Sequence, residues 1–128
     1  MHTRIPSSAL YISQSLLLLY LTLTQKKSTM YISNLQHFLN EQGNIPSEMP
    51  YEGREMAGFL ALIVDAATIG YPNPEPQTVI KCINKECKGT LNVKVDTRDG
   101  FIFWKCNTCR EEGRISDWQK TKWDNRKL

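Results

Sequence analysis

Histidine is scarce in this chain: His2 and His37 are the only two. Neither lies in a His-x-Glu or His-Glu-x-x-His string, so a hydrolytic or deaminating zinc site with an open coordination position lacks both its ligands and its acid. The sequence also lacks a Gly-x-x-x-x-Gly-Lys loop and a Gly-x-Ser-x-Gly elbow, which removes the usual phosphate cradle and the usual serine nucleophile. Long apolar runs are missing too. The longest, Ala9 to Leu23, is broken by Ser13, Gln14 and Ser15 and falls short of the roughly 20 residues a spanning helix needs. With no catalytic constellation in view, the chain is expected not to be an enzyme.

Acid is absent from residues 1–29, which carry Arg4, Lys26 and Lys27. Residues 30–78 set Arg54 against six acids, and residues 79–128 set twelve bases against seven acids, so the three stretches have net charges of +3, −5 and +5. The apolar run has the length of a signal-peptide core, but no small-x-small cleavage site comes after it. Lys26 and Lys27 on its downstream flank favour a cytoplasmic position for the rest of the chain. Met30 opens Met-Tyr-Ile-Ser-Asn-Leu, which reads as the start of a folded element. Residues 1–29 are therefore read three ways: an upstream extension of the reading frame, a membrane anchor with the remainder in the cytoplasm, or a cleaved leader of an exported protein. Two of the three leave the chain in a reducing compartment, and a cytoplasmic location is expected.

What the chain does have is four cysteines in two short pairs, Cys82 with Cys87 and Cys106 with Cys109. In a reducing compartment such pairs favour metal over disulfides. Between them Leu91, Val93 and Val95 alternate with Asn92, Lys94 and Asp96, the period-two pattern of a half-buried strand. Asp99-Gly100 supplies a hairpin turn, and Phe101 to Lys105 leads back to Cys106. A hairpin that brings two pairs together offers four thiolates to one tetrahedral ion, and a site with four protein ligands is closed to substrate. Cys82, Cys87, Cys106 and Cys109 are accordingly the expected ligands of a structural Zn2+, with rubredoxin-type iron an alternative that spacing leaves open. A dithiol redox role for Cys106-Asn107-Thr108-Cys109 would need a helix N-terminus, and Gly113 argues against a long helix there.

The cysteine spacing, with Gly89 after the first pair and Lys105 before the second, resembles the zinc-ribbon superfamily over residues 79–115. The second pair has the usual two-residue spacer, while the first departs from it with four. The segment from Gly113 to Asp124 is similar to the ends of small uncharacterised prokaryotic proteins, a likeness that brings no activity with it.

Upstream, Tyr31, Leu35, Phe38 and Leu39 recur at helical spacing and Gly43 supplies a stop, which predicts a first helix. A second helix is predicted from Pro50 or Tyr51, with Met56, Phe59, Leu60, Ile63, Val64 and Ala67 as its stripe and Gly70 as its end. The expected fold class is α+β: an N-terminal helical hairpin over residues 30–70, a proline-rich linker over 71–78, and a small antiparallel zinc-ribbon β-hairpin unit with an aromatic and basic tail over 79–128. Thr78 to Lys81 and Arg114-Ile115 read as short flanking strands, and Ser116 to Gln119 as a capping box opening a terminal helical turn. Phe101 and Phe103 are expected in the ribbon's thin core.

Bases interleaved with aromatics suit a nucleic-acid surface, since cations meet phosphates and rings stack on bases. The residues expected to form it are Lys94, Arg98, Lys105, Arg110, Arg114, Trp118, Lys120, Lys122 and Trp123. The function expected is a non-catalytic, zinc-stabilised and regulatory binding module for nucleic acid. The alternative is a protein-interaction or assembly module that uses the acidic helices, with the ribbon as scaffold. No small-molecule substrate is implied.

Overall fold

The computed structural model describes residues 24–27, 30–73 and 77–126. Six strands make one mixed sheet: β1 (Thr24–Lys27), β2 (Met30–Asn34), β3 (Gln77–Lys81), β4 (Thr90–Val95), β5 (Ile102–Cys106) and β6 (Glu112–Ser116). Their order across the sheet is β1-β2-β6-β5-β4-β3. All neighbours are antiparallel except β2 and β6, which run parallel with Met30 beside Glu112 and Asn34 beside Ser116. Among the described residues one α-helix, α1 (Tyr51–Thr68), lies across β3, β4 and β5. The readings of residues 1–23, 28–29, 74–76 and 127–128 fall outside the described residues. Among the described residues no helix is long and apolar enough to cross a membrane.

The predicted N-terminal helical hairpin is not there. Residues 30–34 form strand β2, and Leu35–Phe38 form a single 3-10 turn capped by Asn34, whose side-chain oxygen accepts from Gln36 N at 2.9 Å. The helical spacing has a different cause. Leu35 and Phe38 are fully buried because they lie three apart on a 3-10 turn, while Tyr31 reaches the same core from the strand before it. β2 carries Tyr31 and Ile32, residues that favour strands, and β6 offers it an edge to pair with from far along the chain.

The second predicted helix is α1. Pro50 precedes its first residue, Glu52 sits in its first turn, and Gly70 beyond its end takes φ 76°. Its buried stripe includes Ala57, Leu60, Ile63, Val64 and Ala67. That stripe meets Leu91 and Val93 of β4, and Ile102 and Trp104 of β5, in one apolar core. On β5 the buried residues are Ile102, Trp104 and Cys106. Phe101 and Phe103, expected inside, therefore take the opposite side of the strand.

The C-terminal segment closes the other end of α1. Trp118 is 1% exposed and donates its indole N–H to Gly100 O at 2.8 Å, pinning the β4–β5 turn. The predicted helical turn after Ser116 does not form. Asp117 and Lys120 take left-handed φ of 55° and 66°, and Ser116 Oγ donates to Ser33 O. Beyond it, Thr68 Oγ1 donates to Trp123 O, and Asn125 Nδ2 donates to Asp65 O. Asp124 accepts from both Nε and an Nη of Arg126 at 2.9 Å, and the Arg126 guanidinium lies 4.5 Å over the Trp118 ring.

Candidate metal centre and the open face of the sheet

Cys82 comes directly after β3 and Cys106 ends β5, so two strands flanking β4 deliver one thiol each to the same end of the sheet. Short loops then bring Cys87 and Cys109 back beside them. Cys82 Sγ is 3.5 Å from Cys109 Sγ, Cys87 Sγ is 3.7 Å from Cys106 Sγ, and all four sulfurs lie within 4.8 Å of one another. None is disulfide-bonded. Tetrahedral coordination at about 2.3 Å places sulfurs about 3.8 Å apart, so this cluster needs only small adjustments to receive an ion.

The backbone around the cluster is arranged for negative sulfur. Gly89 N donates to Cys87 Sγ at 3.3 Å, Thr108 N and Cys109 N to Cys106 Sγ at 3.3 and 3.4 Å, and Glu111 N to Cys109 Sγ at 3.5 Å. Both loops are closed by matching backbone bonds, Cys82 N to Gly89 O and Cys106 N to Glu111 O. Asn107 ties them together: its backbone N donates to Thr90 O, and its side chain both accepts from Thr90 N and donates to Thr90 Oγ1. Gly89 is forced by space. A Cβ there would stand 2.6 Å from Cys106 Sγ and 2.7 Å from Thr108 Oγ1.

Without an ion the cluster is electrostatically unbalanced. Burial pushes the Cys82 thiol up to about 12. Burial also opposes ionisation of Cys106, but the N–H groups of Cys109 and Thr108 outweigh it and draw that thiol down to about 7. Gly89 N–H favours the thiolate of Cys87, yet burial and the neighbouring thiols raise it overall. Cys106 therefore ionises more readily than Cys82 and Cys87, and a cation in the cluster would favour the thiolates of those two. The donor set, the spacing and the N–H···S bonds all fit a tetrathiolate metal centre, with the four cysteines as ligands.

No protein-family model, no curated protein and no solved structure matches this chain. The four-cysteine cluster is thus compatible with a ribbon-like site on its own geometry, with no relative to place it in a family.

The sheet has a second face, opposite α1. By the register, Lys94 of β4 stands beside Phe103 of β5, Phe103 beside Arg114 of β6, and Arg114 beside Ile32 of β2. Lys105 stands between Asn92 and Glu112 on the same face. The nine residues expected to bind nucleic acid are scattered by this fold. Lys94, Lys105 and Arg114 come together around Phe103. Arg98 is exposed in the β4–β5 turn at one end of the sheet, and Arg110 in the second cysteine loop at the other. Trp118 is buried, and Trp123 packs with the core beside exposed Lys122 at the far end of α1; exposed Lys120 lies in the same tail. Phe103 joins this face although the sequence pattern does not single it out for it. Strand phase alone does not say which side of β5 a helix will cover, and so cannot tell Phe103 on the surface from Phe103 in the core.

Proposed function

We propose that the chain is a non-catalytic binding module stapled by zinc, which engages nucleic acid through the open face of its sheet. One observation carries the nucleic-acid part: Lys94, Lys105 and Arg114 share that face with Phe103, with Glu112 beside Lys105 and Asp96 near Lys94 as acids among them. The described ion pairs are Lys85 with Glu55 and Arg126 with Asp124, so none of these three bases is held in a contact ion pair among the described residues. Arg114 uses its guanidinium face against the Phe101 ring at 4.6 Å, while its Nε has no acceptor. Bases outside contact ion pairs, beside an aromatic ring, are the requirements of a phosphate-tracking, base-stacking surface.

Zinc is favoured because four thiolates satisfy its tetrahedral preference and leave no position for water or substrate. A closed centre beside a broad basic face supports binding without catalysis. The ribbon-like loops hold β3 and β5 in place and so shape the face, with no part in contacting the ligand. A cytoplasmic setting accords with the reduced thiols this centre needs.

Binding to generic single-stranded and duplex oligonucleotides across a salt series tests the reading. Affinity should fall steeply as salt rises, and no binding at low salt would end it. Metal analysis of protein purified under reducing conditions should return about one equivalent of zinc, with iron as the competing result.

A protein-partner reading has one observation in its favour. A cleft of about 330 Å³ between α1 and the first cysteine loop is lined by Met56, Phe59 and Ile83 under a rim of Glu52, Glu55 and Lys85. Leu62 and Val79 are 57% and 89% exposed nearby. Salt-independent binding to a protein, together with absent nucleic-acid binding, would select it.

A further inference from the structure

We infer that the open face takes single-stranded nucleic acid, with one base stacked on Phe103 between Lys94 and Arg114. The inference rests on the nucleic-acid reading above and adds to it the form of the ligand and the residue that selects it.

Shape argues first. Adjacent strands lie about 4.8 Å apart, so a six-stranded face is about 24 Å wide. The duplex major groove is about 12 Å wide and admits a helix or a two-stranded ribbon, not a face of this breadth. A duplex could therefore touch the bases of this surface only through its outer phosphates, and its stacked bases would offer no ring to Phe103. A single strand has no such restriction, because its bases can turn out of line and stack on a side chain.

Placement argues second. Phe103 lies on β5, with β4 and β3 on one side of it and β6 and β2 on the other. Its cross-strand partners are Lys94 and Arg114, one on each side, so a backbone crossing the strands meets a cation before and after the ring. A dish of about 340 Å³ opens at this position, lined by Met30, Asn92, Lys94, Phe103, Lys105 and Glu112. Its walls combine an apolar floor, two ammonium groups, a side-chain amide able both to donate and to accept, and the Glu112 carboxylate beside Lys105, so a heteroaromatic ring would set its phosphate towards Lys94. The other aromatics are occupied. Phe101 is covered by the Arg114 guanidinium and braces Phe103 edge-on at 6.1 Å between ring centroids. Trp104 and Trp118 are buried on the α1 side. Phe103 is left as the stacking platform of this face.

The test uses the full, zinc-loaded protein and fluorescence anisotropy with a labelled mixed-sequence oligonucleotide of about 16 nucleotides, single-stranded and annealed to its complement. The single strand should bind more tightly than the duplex at equal salt. Phe103→Leu keeps an apolar side chain of similar bulk but removes the aromatic face. It should weaken single-strand binding about five- to 150-fold, the range of one lost base stack, and leave duplex binding unchanged. Phe103→Trp should restore or exceed the original affinity, with zinc content and circular dichroism confirming the fold of each variant. Lys94→Gln should weaken both ligands alike and reduce the salt slope by about one contact. Equal affinity for both forms, or a Phe103→Leu protein that binds the single strand as wild type does, would overturn the inference and leave the nucleic-acid reading standing. Absence of binding to either form at low salt would overturn that reading and the inference with it.

Discussion

Gly89 and Asp124 show how single residues set conditions for the whole fold. At Gly89 the constraint is space: one added methyl would meet Cys106 Sγ at 2.6 Å, and Thr108 Cβ at 2.8 Å behind it. The same residue donates its N–H to Cys87 Sγ. Gly89→Ala should therefore move two ligands at once and lower zinc affinity by about 10- to 100-fold, the usual scale for disturbing the groups that support ligands. Competition with a chromophoric chelator measures it, and wild-type affinity would show that the loop can yield. At Asp124 the constraint is charge. Burial raises its pKa, but hydrogen bonds from Arg126 and Lys120 N outweigh this and hold the carboxyl at about 2, below its ordinary 3.8. A depressed carboxylate contributes stability that is complete above its unfolded pKa and is lost as pH falls through the folded one. The contribution should thus be full above about pH 5, decline progressively below it, and vanish only near about pH 1, with a total of about 2 kcal/mol. Asp124→Asn should cost that amount at neutral pH and progressively less as pH falls below about 5. Denaturant midpoints of the two proteins, compared at each pH where both keep their metal, check it.

At the scale of elements, the most consequential packing is Trp104 on β5 against Gly113 on β6. The two are register partners, and the indole lies so flat on the neighbouring strand that a Cβ at Gly113 would meet it at 2.7 Å. Tyr31 stacks on the same ring at 5.7 Å and Phe59 of α1 meets it edge-on at 5.1 Å, so β2, β5, β6 and α1 converge on one side chain. Trp104→Ala should cost about 3–5 kcal/mol. Gly113→Ala should also destabilise, through overpacking rather than a cavity, by about 1–3 kcal/mol. Thermal unfolding checks both, and a neutral Gly113→Ala would mean that the indole can slide aside. The same elements show what sequence can reveal. The β4–β5 hairpin is legible because its signals are local: alternation on each strand, and Gly100 at φ 79° in a turn held by Asp96 Oδ1 accepting from Arg98 N and Asp99 N. The helix α1 is legible for the same reason, with proline before it and glycine after. The four cysteines are legible as one cluster because two pairs flank one hairpin. β2 is not legible, since its stability comes from a parallel partner distant in the chain, Met30 pairing with Glu112, and its hydrophobic spacing imitates a helix. The outward face of β5 is hidden too, because alternation marks two sides of a strand and only the position of α1 decides between them.

For the molecule as a whole, the metal centre and the apolar core are in series. The four sulfurs fix the ends of β3 and β5, β5 holds β6, and β6 holds β2, so the 30–34 stretch depends on the cysteine loops through successive ladders. In the other direction, Lys85 of the first cysteine loop reaches Glu55 of α1 at 3.2 Å, and Cys82 and Cys106 are themselves part of the buried cluster. The Lys85–Glu55 pair is exposed and contributes little by itself. The shared core is the stronger link, because losing the cysteine loops would uncover Leu91, Trp104 and the α1 stripe together. Structural zinc binds with an apparent 10–16 kcal/mol at neutral pH, whereas a domain of this size has a net stability of about 5–15 kcal/mol. Removing the metal should therefore unfold the chain rather than loosen one end of it. Chelation under reducing conditions is expected to abolish α1 ellipticity and to shift the emission of buried Trp104 and Trp118 to the red in one coincident transition, reversed by added zinc. If helical ellipticity persisted while tryptophan emission shifted, the helix and the cysteine unit would be separate folding units, and the coupling through β2 and β6 would be too weak to make the molecule one.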